Sequence, residues 1–151
     1  MSIFPTKILL ATDGYKEAEL AARTAVDIAS STNSELHVVT VARAEYHSGY
    51  DIPESGDYLK RTYESIEREV REMLDQQVKK IEETGGTMAK VHFGMGRPDR
   101  EIVHLADDIG AGLIVMGSRG LGAVRRALMG SVSDSVVRHA HCPVLVVRQE
   151  K

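Results

Sequence analysis

Five short strand-like runs alternate with helical patterns along the chain, and this alternation narrows the possible folds more than any other feature. The runs are Lys7 to Thr12, Leu36 to Val41, Thr87 to Phe93, Leu113 to Met116 and Val144 to Arg148, the last entered through Pro143. Leu36 to Val41 is almost continuously apolar, as expected of a strand covered on both faces in a parallel sheet. From about Tyr15 to Thr32, Ala18, Ala21, Ala22, Ala25, Ile28 and Ala29 share one helical face. Tyr58 to Glu83 carries Leu59, Tyr63, Ile66, Val70, Met73, Leu74, Val78 and Ile81 at three- and four-residue spacing, predicting a long amphipathic helix that Gly85-Gly86 stops. Pro98 opens a helix striped by Ile102, Leu105, Ala106 and Ile109, and a last helix spans about Ser131 to Ala140. The expected class is therefore α/β with a mainly parallel sheet, in one domain over residues 1–151.

The 151 residues are 42% hydrophobic, enough for one core that buries roughly 68–70% of the unfolded surface. Apolar runs such as Ile8 to Ala11 fall far short of the roughly 18 residues of a membrane span. The start, Met1 to Lys7, shows no basic stretch followed by an apolar one, so a cytoplasmic location is expected. The single cysteine, Cys142, agrees with a reducing compartment. A net charge of −3 and the lack of Trp offer nucleic acid neither an electrostatic footprint nor much to stack on.

Gly117-Ser118-Arg119-Gly120, nine further residues and Gly130-Ser131 lie after one strand and before a helix. Glycines admit close backbone approach, and the first N–H groups of a helix favour an anion. Two readings follow: a phosphate cradle, or a strand end, a turn at Gly120 and Gly122, and a cap at Ser131. Charge favours the cradle. Between Gly117 and Arg148, Arg119, Arg125, Arg126, Arg138 and Arg148 face the single acid Asp134, a local +4 in an acidic chain. No Lys-Ser or Lys-Thr follows the second glycine cluster, so this is not a Walker loop. Ala11-Thr12-Asp13-Gly14 is not the dinucleotide fingerprint.

The spacing Gly117-x2-Gly120-x9-Gly130-Ser131 resembles the ATP-binding signature of the universal stress protein family. The resemblance extends to Lys7 to Asp13, Leu113 to Gly117 and Cys142 to Val147, nearly the whole chain. It implies a three-layer sandwich around a five-stranded sheet of order 3-2-1-4-5, with Asp13 brought beside Gly117. Asp13 would then serve a ribose hydroxyl or an Mg²⁺ held by ATP, although it also suits a helix N-cap. The resemblance further implies that Val41 meets adenine through its backbone N–H and C=O, and that Ala11 and Met116 wall the base. Gly117, Arg119, Gly120, Gly130, Ser131, Val132 and Ser133 would surround ribose and phosphates, with the Ser131 hydroxyl as a further donor. A homodimer through the edge strand Val144 to Val147 is implied as well.

Tyr15 departs from the family pattern, where a small Ser often follows Asp-Gly, and Gly112 stands where an Asp often precedes the fourth strand. Gly112 is expected to alter only a turn, whereas Tyr15 either narrows the site or stacks on the ligand. The irregular stretch Ala44 to Gly56 is expected to be a loop able to cover a site. His139, His141 and Cys142 suggest a metal only weakly, because alternate residues of an extended segment point apart. His92 and His104 are isolated, and no Glu, His or Lys is placed by motif as a base. The expected function is an ATP-binding stress or signalling module, read by a protein partner, with slow ATP hydrolysis or a nucleotide-free dimeric scaffold as alternatives.

Overall fold

The computed structural model of the chain describes residues 2–12, 16–43, 56–83, 85, 88–118 and 130–148. In chain order its elements are β1 (Lys7–Ala11), α1 (Lys16–Thr32), β2 (Glu35–Arg43), α2 (Gly56–Glu83) and β3 (Met88–Gly96), followed by α3 (Pro98–Ile109), β4 (Ala111–Gly117), α4 (Ser131–His139) and β5 (Val144–Val147). All ladders are parallel, and the sheet order is β3-β2-β1-β4-β5, as the family resemblance implied. β1 lies at the centre and the crossover to β4 reverses the direction of winding, so the β1/β4 boundary is the topological switch point.

The alternation of side chains across each strand divides the core in two. Ile8, Leu10, Leu36, Val38, Leu113 and Val115 face α1 and α2, meeting Ala21, Ala25 and Ala29 of α1 and Leu74 and Ile81 of α2. Leu9, Val39, Ile114 and Met116 face the opposite way, onto Ile102 and Ala106 of α3 and Val136 of α4. The alanines of α1 let that helix lie close to the central strands, and each fully buried Leu or Ile contributes about 1.5–3 kcal/mol. Three layers result.

The ladder extends β2 and β3 beyond the expected limits, to Glu35–Arg43 and Met88–Gly96, because main-chain pairing continues through Val41↔Gly94 and Arg43↔Gly96, where no side-chain pattern signals it. α2 ends as anticipated, with Gly85 at φ 88° and its N–H donating to the Glu82 carbonyl.

Gly112 does not lie in a turn. It is the extra residue of a bulge inside β4, since Lys7 pairs with Ala111 while Ile8 pairs with Leu113. A β-carbon there would collide with the Thr6 hydroxyl and stand 3.0 Å from the Thr6 Cβ and Cγ2. Glycine is thus required by the close passage of the chain entering β1.

Candidate functional site

In open α/β sheets ligands bind beyond the carboxyl ends of the strands at the switch point. Here the β1–β2 ladder ends at Ala11↔Val39, with one further bond from the Thr12 N–H to the Val39 carbonyl at 3.0 Å. The Val39 backbone therefore faces β1. Two residues later the Val41 N–H and C=O face the same way, and among the described residues nothing bonds them. The fold thus offers a donor and an acceptor, side by side, in the crevice past the end of β1. The Thr40 hydroxyl donates to the Thr12 carbonyl at 2.8 Å and holds the two strand ends in register.

The walls beside this edge are apolar. Ala11 pairs with Met116 across the β1/β4 boundary, and Ala11, Val41, Met116 and Val132 belong to the same core cluster under α3 and α4. Four residues from four separate segments, each singled out in the sequence, thus belong to the core on one face of the sheet, with Ala11 and Met116 paired directly.

The glycine loop is closed at its base. The Gly130 N–H donates to the Ser118 carbonyl, and Ser133 Oγ, 2% exposed as a residue, lies 3.0 Å from the same oxygen and 3.1 Å from the Gly130 carbonyl. Ser118 in turn donates its N–H to the Val147 carbonyl of β5 at 2.9 Å. The end of β4 and the start of α4 are therefore fastened together. Gly130 is the N-cap of α4 in an extended conformation, and its carbonyl receives the Asp134 N–H at 3.0 Å. The Ser131, Val132 and Ser133 N–H groups fall in the first turn, where a helix supplies no internal acceptors, and they make a cationic end for an anion. Ser131 is exposed and its hydroxyl stands at that end, whereas the Ser133 hydroxyl is committed to the backbone. Asp13, Arg119 and Gly120, like Tyr15, Gly122, Arg125 and Arg126 and the stretch 44–55, lie outside the described residues.

Ser118, Thr12 and Thr40 escaped the sequence reading. Ser118 had a signal, its place between two glycines, but the hydrogen bond of Thr40 to Thr12 spans strands that no local pattern connects. A further cluster ties α3 to α4. Asp99 Oδ2 accepts from Ser135 Oγ at 2.7 Å and from Arg97 Nη2 at 3.1 Å. Burial opposes the ionisation of Asp99, but these bonds and the Arg100 N–H outweigh it and hold the carboxyl below its ordinary value.

His139 and His141 have other partners. His139 Nδ1 lies 2.8 Å from the Ser135 carbonyl, and His141 Nδ1 lies 3.0 Å from Asp107 Oδ2. Among the described residues no three His, Cys, Asp or Glu side chains are grouped to hold a metal, and no helix is long and apolar enough to cross a membrane.

A parallel α/β sandwich with an open polar edge and a glycine-capped helix at its switch point defines a class of small ligand-binding domains. Residues 5–148 match the universal stress protein family, and the chain belongs to that family. A Staphylococcus haemolyticus relative named for the same family is 36% identical over 145 residues, 95% of this chain and 85% of its own length. Among solved structures, the universal stress protein UspA of Lactobacillus plantarum is similar with a TM-score of 0.83 at 26% identity, covering 97% of this chain and all of the other. Protein MJ0577 is similar with the same TM-score and identity, over 99% of both chains.

Proposed function

We propose that the crevice between β1 and β4 binds an adenine nucleotide, ATP in particular, and that the protein acts as a nucleotide-dependent stress or signalling module. The observation that carries this reading is the Val41 N–H and C=O past the end of β1, which no described residue bonds. Adenine presents an acceptor at N1 beside a donor at its amino group, the complement of one residue's backbone pair. Ala11 and Met116 then flank the base, and the first turn of α4 receives a phosphate through N–H groups that lack acceptors within the helix. Support also comes from the fold, since two universal stress proteins of this architecture form complexes with cAMP (TM-score 0.69, 24% identity) and with dAMP (TM-score 0.66, 22% identity).

Asp13, Arg119 and Gly120 complete the proposed site, Asp13 toward the ribose or an Mg²⁺ carried by the nucleotide. Binding, rather than turnover, is the function proposed. β5 is a sheet edge, and pairing of Val144–Val147 with a second copy in a cytoplasmic homodimer fits it.

Calorimetric titration of ATP with Mg²⁺ into nucleotide-free protein, beside GTP and a Gly130→Val variant, tests the proposal. The expected result is saturable binding that prefers ATP and is lost in the variant, whose β-carbon would obstruct the phosphate. Absence of heat with every nucleotide would leave a scaffold as the function.

A further inference from the structure

Helices α3 and α4 share one face of the sheet, and each begins at the carboxyl end of a strand, so their N-termini open toward the same side. Asp99, at the start of α3, is the hinge point between them. Its Oδ2 receives both the Ser135 hydroxyl of α4 and Nη2 of Arg97. Ser135 is four residues past Ser131, so the serine that bonds the acceptor oxygen sits about one helical turn, roughly 6 Å along the axis, from the start of α4 and on the same side of the helix. The Arg97 guanidinium, bonded to that same oxygen, is therefore within the swing of one arginine side chain of the anion end of α4. Its side chain is 63% exposed.

We propose that Arg97 is an additional phosphate-binding residue, parked on Asp99 until a nucleotide lies on the first turn of α4 and then transferred to its phosphate. This rests on the nucleotide reading above. Three physical points carry it. The pair is open to water on the arginine side, 63% exposed against 15% for the Asp99 side chain, so solvent competes for the guanidinium. A phosphate presents a denser charge than one carboxylate oxygen and can take the guanidinium fork bidentately. Asp99 keeps its hydrogen bond from Ser135 after Arg97 leaves, so the transfer does not leave the half-buried carboxylate without a donor. Arg97 lies outside the glycine loop, and in the sequence only its neighbour Pro98 carried a signal, as the start of a helix.

The test titrates ATP into the wild-type chain, Arg97→Gln and Arg97→Lys at low and high salt, with thermal unfolding recorded alongside. The proposal expects Arg97→Gln to weaken ATP binding about tenfold at low salt, the loss of one charge-assisted phosphate contact. The deficit should shrink at high salt as screening removes the attraction. Lysine, which keeps the charge but not the fork, should recover only part of the affinity, and the unfolding temperature should not move. ATP binding by Arg97→Gln equal to wild type, or a deficit that ignores salt, overturns the role of Arg97 while leaving the nucleotide site standing. A wild-type chain that binds no ATP overturns both.

Discussion

Ser133 Oγ donates to the carbonyl of Ser118, 3.0 Å away and fifteen residues earlier in the chain, and so fastens the start of α4 to the end of β4. The same hydroxyl reaches the Gly130 carbonyl at 3.1 Å, which makes it a clasp at the base of the glycine loop. Ser133→Ala removes the clasp and leaves the Ser118 carbonyl with the Gly130 N–H alone. The expected cost is about 1 kcal/mol, a drop in unfolding temperature of about 2–4 °C. Nucleotide affinity should fall by more than that loss suggests, because the N–H groups of the first turn lose their fixed position. Calorimetry of unfolding and of ATP binding on one preparation separates the two effects.

The bulge at Gly112 leads to a second prediction. Gly112→Ala forces a β-carbon against Thr6, whose own N–H is tied by Ser34 Oγ at 3.0 Å and whose carbonyl is tied by the Glu35 N–H, so the segment has little room to withdraw. Overpacking of this kind costs about 1–3 kcal/mol. Thr6→Gly in the same chain removes the colliding atoms and should restore part of the loss. Equal unfolding free energies for Gly112→Ala with and without Thr6→Gly, measured in denaturant, would contradict the steric account.

How far the structure was legible in the sequence depends on the range of the interaction. Strand and helix identities followed local periodicity, as with the alanine stripe of α1, where a buried face needs small residues. The spacing from Gly117 to Ser131 singled out a loop of which the structure describes the two ends, joined by the Gly130 N–H and the Ser118 carbonyl. The order of the strands had no such local sign; it came from family resemblance, because ladder pairing such as Ala11↔Met116 joins segments about a hundred residues apart. Gly112 was misjudged for the same reason, its constraint being Thr6 across a bulge. The Asp99–Ser135 bond, spanning 36 residues, and the direction of the Val41 backbone likewise depend on tertiary register.

Cys142 offers a chemical check on the α3/α4 face. Its side chain packs against that core cluster, and burial first, then the charge of Asp107, pushes its thiol above the ordinary 9.0. Alkylation requires the thiolate. Iodoacetamide should therefore modify Cys142 more slowly at pH 8 than it modifies a free thiol, and Asp107→Asn should speed the reaction. A rate in the wild type matching that of an unperturbed cysteine would show that neither burial nor Asp107 governs the thiol.

His37 and His92 supply the acid response. His37 is 6% exposed, its Nδ1 lies 3.1 Å from His92 Nε2, and its Nε2 lies 3.3 Å from Glu35 Oε2. Donor counting assigns the protons: His37 gives its Nε2–H to the carboxylate and accepts the Nε2–H of His92 at Nδ1. Burial, then the neighbouring charges of His37 and Lys90, lower the pKa of His92 below the ordinary 6.5. The unfolded chain therefore binds this proton more readily than the folded one. The contribution of His92 to stability is complete above 6.5, declines as the pH falls below it, and is lost through the lower folded value. His92→Gln keeps a donor for His37 Nδ1 but cannot titrate, so its unfolding temperature should fall less steeply between pH 6.5 and 5 than that of the wild type. Parallel curves for the two proteins would place the acid sensitivity elsewhere in the fold.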